Sequence, residues 1–559
     1  MRTLPNLRVP LAHVHGLGCL LRRNAGFVLL LTGGGVLRLL AMLGFSPILW
    51  FTGDSYLYLN RTLRLAPSPS KTMGYPFLLK LLQPFHSLTL VAAVQHLMGL
   101  AIAVMIYALL RRARLPRWGA ATLTVPVLYD AYQIELEQLL MAETLFTFLI
   151  VTAVTMTLWT GRRPARSALA AGLTAGLLLG WAVLVRSAGA AALPIFLGCL
   201  MIRRVGWRTC AAATVGCVLP LAGYAMWFHA YQGTYGLTSA DGLYLWGRTS
   251  SFARCDKLHL PPEERGLCLN GPTRGRAAPG TIIWRKDVPP RQLPGGPITP
   301  DNNRLLRSFS IHAIESQPAD YLHSVVKGIG MAIGPHRLRY PNSSTEALYH
   351  FPSRPQGFPP RRFAGQLPGE AARAYGRQNP SRLVEPWAGF LRGYQSWVFL
   401  PGPVLGLLWL VGVAGALRRG DKTRRWAVLT AWSISVALLL FPLAVADFDY
   451  RYVLPAVPFA CLAAGLALSP RGRTAPPEPA DPGNEAAPPD AGNEAAAPDA
   501  RDAAVSADTG NGTAPPDQVR RGREVVRSIS LRAARLRSIS RSWGSRGSLR
   551  HGSDRASAP

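Results

Sequence analysis

Residues 88–117 read LTLVAAVQHLMGLAIAVMIYALLRRARLPR, and this stretch decides the class of fold. Its first 23 residues contain no Asp, Glu, Lys or Arg. A helix of that length crosses the roughly 30 Å hydrocarbon core of a bilayer. Four arginines follow within seven residues, a pattern typical of a short cytoplasmic loop. The stretch therefore predicts a transmembrane helix that ends on the cytoplasmic side.

Similar apolar blocks recur along the 559 residues. Two weaker blocks, 118–134 and 188–202, are interrupted by Pro126 and Pro194. Counting both, we predict an all-α polytopic membrane protein with about ten spans. The first block is long and contains Arg38, which favours a retained span over a cleaved signal peptide. The stronger blocks are residues 26–46, 88–110, 142–160, 167–185, 209–229, 396–416, 426–446 and 452–469.

Basic residues predict the orientation of these spans. The formal net charge is +31, but Lys and Arg concentrate in short loops and near the C-terminus, which indicates membrane orientation rather than nucleic-acid binding. The turn at 135–141 contains neither residue, in contrast to the loops on the other side. Five segments with at least three basic residues each are predicted to be cytoplasmic: 1–25, 111–117, 161–166, 203–208 and 417–425.

This pattern divides the chain into regions. The cytoplasmic segment 1–25 precedes seven spans in 26–229, and three more spans occupy 396–469. Between them, residues 230–395 form a large extracytoplasmic loop with a helical stretch near 302–333. Its Pro and Gly content leaves a poorly ordered insertion as an alternative to a packed domain. A packed domain is favoured by its aromatic residues, Tyr231, Tyr235, Tyr244, Trp246, Trp284 and Tyr321.

The C-terminal tail, residues 470–559, is rich in Ala, Pro, Asp and Glu and contains a nine-residue repeat, GNEAAPPDA at 483–491 and GNEAAAPDA at 492–500. Such a composition cannot bury a core, so we predict a disordered cytoplasmic tail. From residue 520 onward the tail is basic. Both an amphipathic segment on anionic lipid and a solvated tail fit that composition.

Two of the seven cysteines, Cys255 and Cys268, share the predicted extracytoplasmic loop. Because that side is oxidising in bacterial and secretory systems, we predict a disulfide between them. The remaining cysteines lie in or near spans and are expected to act as apolar fillers.

The loop after the first span reads WFTGDSYLYLN, residues 50–60, and places Asp54 close to the predicted outer membrane face. A carboxylate there is suited to accept a proton from a hydroxyl group. The alternative is structural, because an aspartate also starts helices as an N-cap.

Other charged residues flank the same face. A charge near hydrocarbon is unfavourable, so their convergence indicates a site more strongly than any single one. For Arg186 the alternative is that an isolated arginine at the end of a span extends its charge to the membrane interface and has no further function. The motifs are SKTMGYPFLLKLL (70–82) with Lys71 and Tyr75, LLMAETLFTFL (139–149) with Glu143, LVRSAG (184–189) with Arg186, and DFDYRYVLPAVPF (447–459) with Arg451 and Tyr452.

A carboxylate and arginines at this face suit the transfer of a sugar from a polyprenyl phosphate to a hydroxyl group. The carboxylate acts as general base, and arginine neutralises the departing phosphate. The lipid tail of the donor explains why the site lies at the interface. The ordered motifs G-D-x-Y, GYP-x-L-L, E-T-L-F, L-x-R-x-x-G and R-Y-x-x-P, over residues 26–469, resemble the GT-C polyprenyl-phosphate-sugar-dependent glycosyltransferases, the superfamily of protein mannosyltransferases and aminoarabinose transferases.

The resemblance implies a GT-C-like helical bundle and an inverting glycosyltransferase of the cell envelope that transfers a hexose such as mannose. It implies that Asp54 is the catalytic base. Protein mannosyltransferases have an adjacent Asp-Glu pair in this loop, whereas Ser55 follows Asp54 here. We therefore expect no metal or other cofactor, and among lipid, glycan and protein acceptors the protein is the least supported. The donor phosphate is assigned to Arg186, Arg451 and Lys71, and substrate contacts to Tyr56, Tyr75, Glu143 and Tyr452.

Two other functions compete with this interpretation. A transporter or flippase of lipid-linked sugars would also have many spans and bind lipid phosphate, but transporters place charges near the midplane and show repeated halves. A membrane scaffold would leave the charges at the outer face unexplained. Abundant Arg, Ala, Gly and Pro favour a bacterial plasma membrane, with the site extracytoplasmic and membrane lipids as neighbours.

Overall fold

The computed structural model of the protein describes residues 22–51, 53–159, 165–376, 380–418 and 422–470. The predictions for the C-terminal tail beyond residue 470 and for most of the N-terminal segment lie outside these residues. Within them the regular secondary structure is helical apart from a two-stranded antiparallel sheet, in which β1 (Phe45–Ser46) pairs with β2 (Arg382–Leu383). The chain is therefore an all-α membrane protein, as predicted.

Helices of the first half alternate between long apolar spans and short connecting segments. The apolar composition explains the long ones, and Ser87 caps α4 by accepting a hydrogen bond from the Leu90 amide at 3.1 Å. The helices are α1 (Ala25–Gly44), α2 (Asp54–Leu63), α3 (Gly74–Leu82), α4 (Leu88–Arg112), α5 (Arg117–Thr122), α6 (Val125–Tyr129), α7 (Ala131–Gln138), α8 (Glu143–Trp159), α9 (Ala165–Val185), α10 (Ala192–Ile202) and α11 (Trp207–Gln232).

The second half contains the large loop and the last spans. Most loop helices begin with proline, which has no amide hydrogen to satisfy at a helix start. They are α12 (Asp241–Ser250), α13 (Pro279–Ile282), α14 (Pro289–Gln292), α15 (Pro300–Ser316), α16 (Pro318–Ile333), α17 (Ser343–Glu346), α18 (Pro368–Gly376), α19 (Trp387–Trp397), α20 (Gly402–Leu417), α21 (Lys422–Val445) and α22 (Val457–Leu468).

The predicted count of ten spans is not confirmed. Six helical stretches among the described residues are long and apolar enough to cross a membrane, and the pair α19 and α20, bent by 57°, is a possible seventh. Two predicted spans, 142–160 and 188–202, correspond to the shorter apolar helices Glu143–Trp159 and Ser187–Ile202. The six stretches are Ala25–Gly44, Leu88–Arg112, Arg166–Val185, Trp207–Gln232, Lys422–Val445 and Tyr450–Leu468.

The predicted span 118–134 is wrong as a continuous helix, because the chain breaks there into α5, α6 and α7. Asp130 caps α7 by accepting hydrogen bonds from the amides of Tyr132 and Gln133. The predicted outer turn then folds into the interior, where Glu137 is fully buried. Arg38 binds it with two hydrogen bonds, Nε to Oε2 at 2.7 Å and Nη2 to Oε1 at 2.9 Å. A buried charge needs such a partner, which explains the arginine inside the first span.

Small residues bring two spans into backbone contact. A Cβ atom added at Gly172 would lie 2.8 Å from the Thr209 carbonyl oxygen, and one at Gly180 would lie 2.7 Å from that of Cys217. Between them, Gly176 has the same relation to Ala213. Glycines spaced four residues apart form one face of α9, which packs directly on α11. This contact fixes the end of α9, where the candidate site begins.

The large loop has its own small core. Trp246, Leu306 and Phe309 are buried together in it. The predicted helical stretch 302–333 is interrupted at Pro318, so that two helices, α15 and α16, replace it. Of the six aromatic residues expected to pack this loop, Trp246 alone is fully buried, whereas Tyr231, Tyr235 and Trp284 are exposed. The loop is therefore packed, but on aliphatic side chains more than on those aromatics.

Candidate active site

Asp54 is positioned by a short extended segment that connects α1 to α2. The Leu49 amide donates to the Gln138 carbonyl at 2.9 Å, and the Leu140 amide donates to the Leu49 carbonyl at 2.9 Å. Ser55 Oγ then donates to the Leu140 carbonyl at 2.9 Å. These bonds hold the start of α2 beside the start of α8, and so bring Asp54 close to Glu143.

Helix α2 begins at Asp54, but the aspartate is not its cap. Gly53 occupies the cap position with φ of 88°, a conformation that favours glycine. The Asp54 carboxylate instead accepts hydrogen bonds from Lys71 and Arg451. Asp54 therefore forms ion pairs and does not cap the helix. Its negative charge in the first turn also interacts favourably with the helix dipole.

Lys71 is held by a close backbone contact between its loop and the end of α9. A Cβ atom at Gly74 would collide with the Leu184 carbonyl carbon and the Val185 nitrogen, so this position requires glycine. The Thr72 hydroxyl donates to the Val185 carbonyl at 3.2 Å. The loop is thus fixed against the helix that ends immediately before Arg186.

Asp54 lies between two cations. Lys71 Nζ is 3.0 Å from both carboxylate oxygens, and Arg451 Nη1 is 2.7 Å from Oδ2. Burial alone would raise the pKa of Asp54, but the charges and hydrogen bonds of Lys71 and Arg451 outweigh it and hold this pKa well below its usual range. Burial likewise opposes the charge of Lys71, yet Asp54 raises the pKa of Lys71 above its ordinary value. The carboxylate is therefore ionised at neutral pH.

Glu143 adds a second carboxylate, at the first residue of α8, and its side chain is only 1% exposed. Its Oε1 pairs with Arg186 Nη1 and lies 3.8 Å from Arg451 Nη1. Its Oε2 is buried and has no hydrogen-bond partner among the described residues. Arg451 therefore connects the Asp54 pair to the Glu143 pair.

Tyr452 and Asp449 complete the group. The Tyr452 ring lies beneath both guanidinium groups, with its centroid 5.2 Å from Arg186 Cζ and 5.4 Å from Arg451 Cζ, a cation–π arrangement. Asp449 Oδ2 lies 2.9 Å from Arg451 Nε. We call these residues the ion-pair cluster: Asp54, Lys71, Glu143, Arg186, Asp449, Arg451 and Tyr452.

Two of the predicted substrate-contacting residues lie away from the cluster. Tyr56 packs in an aromatic group with Trp50 and Phe363, at centroid distances of 5.5 and 5.1 Å. Tyr75 is fully buried and donates a hydrogen bond of 2.6 Å to Gln95. Their contacts in the structure are those of core residues.

Two tyrosines that the sequence interpretation did not select lie closer. Tyr58 is one helical turn from Asp54, and its pKa is raised, by burial first and also by the Asp54 charge, against the opposing charge of Lys71. Tyr244, in the large loop, has a raised pKa for the same reasons. The spacing of four residues from Asp54 was an available signal for Tyr58, whereas nothing in the sequence pointed to Tyr244.

The other predicted features are also located. Cys255 and Cys268 form a disulfide in the large loop. In the part of the chain that the structure describes, no group of three or more His, Cys, Asp or Glu side chains has a metal-binding arrangement.

A carboxylate, several cations and an aromatic ring lie together at the start of α8, the end of α9 and the start of the stretch Tyr450–Leu468. They define a helical membrane protein with a polar site able to hold an anion and to accept a proton. No family model matches the chain, and no curated protein matches it.

Solved structures with similarity to the chain are of an archaeal oligosaccharyltransferase from Archaeoglobus fulgidus. The apo form is 12% identical with a TM-score of 0.37, and the match covers 79% of this chain and 50% of that chain. The complex with an inhibitory peptide and a dolichol-phosphate is 13% identical with a TM-score of 0.34, again covering 79% and 50%. The chain thus spans about half the length of these proteins.

Proposed function

We propose that the protein is a membrane glycosyltransferase of the GT-C type, which transfers a sugar from a polyprenyl-phosphate donor to an acceptor hydroxyl on the extracytoplasmic face. The observation that carries this proposal is the position of Asp54 between Lys71 and Arg451, with Arg186 and Glu143 next to them. The site offers a proton acceptor and an anion site within one cluster. A hexose such as mannose is the expected sugar.

The cations bind the donor phosphate. Arg186 and Arg451 present planar guanidinium groups, which suit bidentate contacts with phosphate oxygens, and Lys71 adds a point charge. As the bond between the sugar C1 and the phosphate oxygen breaks, negative charge develops on the leaving phosphate. Preorganised cations in a partly buried site stabilise that charge without rearrangement of solvent.

Asp54 removes the proton from the acceptor hydroxyl while the acceptor oxygen attacks C1. The bond from acceptor oxygen to C1 forms, the bond from C1 to phosphate breaks, and Asp54 holds the proton. This single displacement inverts the configuration at C1. In the free protein Lys71 and Arg451 make Asp54 a weak base, but a bound phosphate shares these cations, so its arrival strengthens the base.

Glu143 fits a substrate-binding role because one of its oxygens remains available. Arg186 holds Oε1, whereas the buried Oε2 has no partner among the described residues. A sugar hydroxyl donated to Oε2 would satisfy a polar atom that is otherwise unfavourably buried. The acceptor, whether lipid, glycan or protein, then approaches Asp54 from the side of the large loop.

The proposal is tested by measuring sugar transfer with the purified full-length protein in liposomes. The protein is supplied with a polyprenyl-phosphate hexose as donor and with lipid extracts or glycans as acceptors. Mass spectrometry of the products should show a hexose added to an acceptor, with release of polyprenyl phosphate. Movement of the intact donor across the bilayer without any product would contradict the proposal and would indicate a flippase instead.

A further inference from the structure

The opposite end of the helical bundle contains a cavity that the proposed reaction does not use. Its volume is about 1040 Å³, and it lies between the ends of α8 and α10 and the starts of α9, α11 and α21. A second cavity of about 560 Å³ shares Arg203 and Arg425 with it. Helix α8 runs 17 residues from Glu143 to Trp159, so about 25 Å separates this end from the ion-pair cluster.

Four cations line the larger cavity, Arg203, Arg204, Lys422 and Arg425, and the last three are exposed. Arg203 donates a hydrogen bond of 2.9 Å to the Thr157 carbonyl. In the described part of the chain none of the four forms an ion pair with a carboxylate. Four like charges lining one cavity repel one another, and an anion bound there reduces that repulsion.

The cavity wall behind these cations is apolar. Met156, Phe196, Leu200 and Trp426 line it, together with small residues of α9. Helix α10 with its preceding turn covers Ser187–Ile202, a stretch shorter than the roughly 20 residues that cross a bilayer core. The arginines at its end are therefore drawn toward the hydrocarbon, with an apolar recess beside them. The matching ligand has an anionic head and a hydrocarbon tail.

We propose that this cavity binds an anionic glycerophospholipid of the adjacent leaflet, with its phosphate at Arg204, Lys422 and Arg425 and an acyl chain along Phe196 and Leu200. Basic recesses between transmembrane helices recognise lipid phosphates through charge. The acidic stretch that begins after residue 476 has charges that would also suit the cations, but its Ala, Pro, Asp and Glu composition does not suit an apolar wall. A phospholipid matches both the cations and the apolar wall of the cavity.

The test uses the full-length protein in phosphatidylcholine nanodiscs that contain a minority of phosphatidylglycerol. Native mass spectrometry should show phosphatidylglycerol retained by the wild type. The combined variant Arg204→Gln, Lys422→Gln and Arg425→Gln should bind it at least about tenfold more weakly. The matched control Arg22→Gln, Arg117→Gln and Arg208→Gln removes the same charge outside the cavity and should retain the lipid.

Three outcomes would overturn the proposal. Equal lipid retention by the cavity variant and its control would mean that the cations only set the orientation of the protein in the membrane. Displacement of the lipid by inorganic phosphate at comparable concentration would indicate a site for free phosphate. Displacement by a synthetic peptide of residues 476–519 would assign the cavity to the protein's own tail.

Discussion

The two ends of the bundle contain the same kinds of basic residue in opposite settings. In the ion-pair cluster each cation has a carboxylate: Lys71 and Arg451 contact Asp54, and Arg186 contacts Glu143. At the other end, Arg204, Lys422 and Arg425 have none among the described residues. Paired cations have fixed positions, as catalysis requires, whereas unpaired ones remain available to lipid. Substitutions at each end therefore separate chemistry from membrane contact.

The largest effect is expected at Asp54. Asp54→Asn removes the proposed base and should lower the turnover number at least about 100-fold. Donor affinity should not fall, because a neutral amide no longer competes with the phosphate for Lys71 and Arg451. Steady-state kinetics and donor-binding measurements on the reconstituted protein check both. Asp287→Asn, at an exposed ion pair of the large loop, is the matched control; turnover near wild type in Asp54→Asn would remove the assignment.

The loss at Arg186 should be smaller. Arg186→Lys keeps the charge but loses the planar contact with phosphate and the bond to Glu143, so catalytic efficiency should fall about tenfold, with weaker donor binding. Arg186→Ala should be worse. Arg285→Lys on the large loop serves as the control. If Arg186→Lys has wild-type kinetics, the residue is only an interfacial anchor and Arg451 or Lys71 becomes the better phosphate ligand.

The fold and the candidate site could be predicted in part from the sequence. Hydropathy identified most apolar helices, and the motif order identified Asp54, Lys71, Glu143, Arg186 and Arg451 as neighbours, which they are. The hydropathy pattern gave a wrong prediction between residues 118 and 138, because it assigns polar residues to the protein surface. The partner of Glu137 is Arg38, 99 residues earlier, and no local pattern reveals such a pair.

The choice between Tyr56 and Tyr58 shows a different limit. Both follow Asp54 in the same motif, but only residues three or four apart share a helix face. The G-D-x-Y motif favours Tyr56, which lies two residues after Asp54 and packs against Trp50 in the structure. A helix assignment for residues 54–63 would have selected Tyr58 from the sequence. Tyr244 depends on how the large loop folds back, which composition does not determine.

A change in pH dependence is expected at Lys71. In the wild type, Lys71 and Arg451 hold the pKa of Asp54 below its usual range, so catalytic efficiency should show no acidic limb from Asp54 in the ordinary aspartate range. Lys71→Met removes the first of these charges, which raises that pKa and moves the acidic limb to higher pH. The pH profile of kcat/KM measures the shift. Lys80→Met, on the exposed face of α3, should leave the profile unchanged, and an unchanged profile in Lys71→Met would contradict the coupling.

The smallest effect on transfer is expected at the basic end. Arg204→Gln with Arg425→Gln should change turnover by less than about twofold, because both side chains are exposed to solvent and neither contacts a residue of the cluster. Transfer assays in detergent, where lipid is absent for both variant and wild type, measure this directly. A large loss there would mean that the two ends communicate through the helices.

The distance along the chain between Asp54 and Arg451, 397 residues, has a consequence for biosynthesis. A ribosome delivers Asp54, Lys71, Glu143 and Arg186 to the membrane long before it makes the stretch Tyr450–Leu468 that carries Arg451. Until that last segment inserts, the aspartate lacks one of its two cations and Glu143 lacks the neighbour that joins the two pairs. The order of synthesis therefore delays a complete cluster until insertion of the helical bundle has finished.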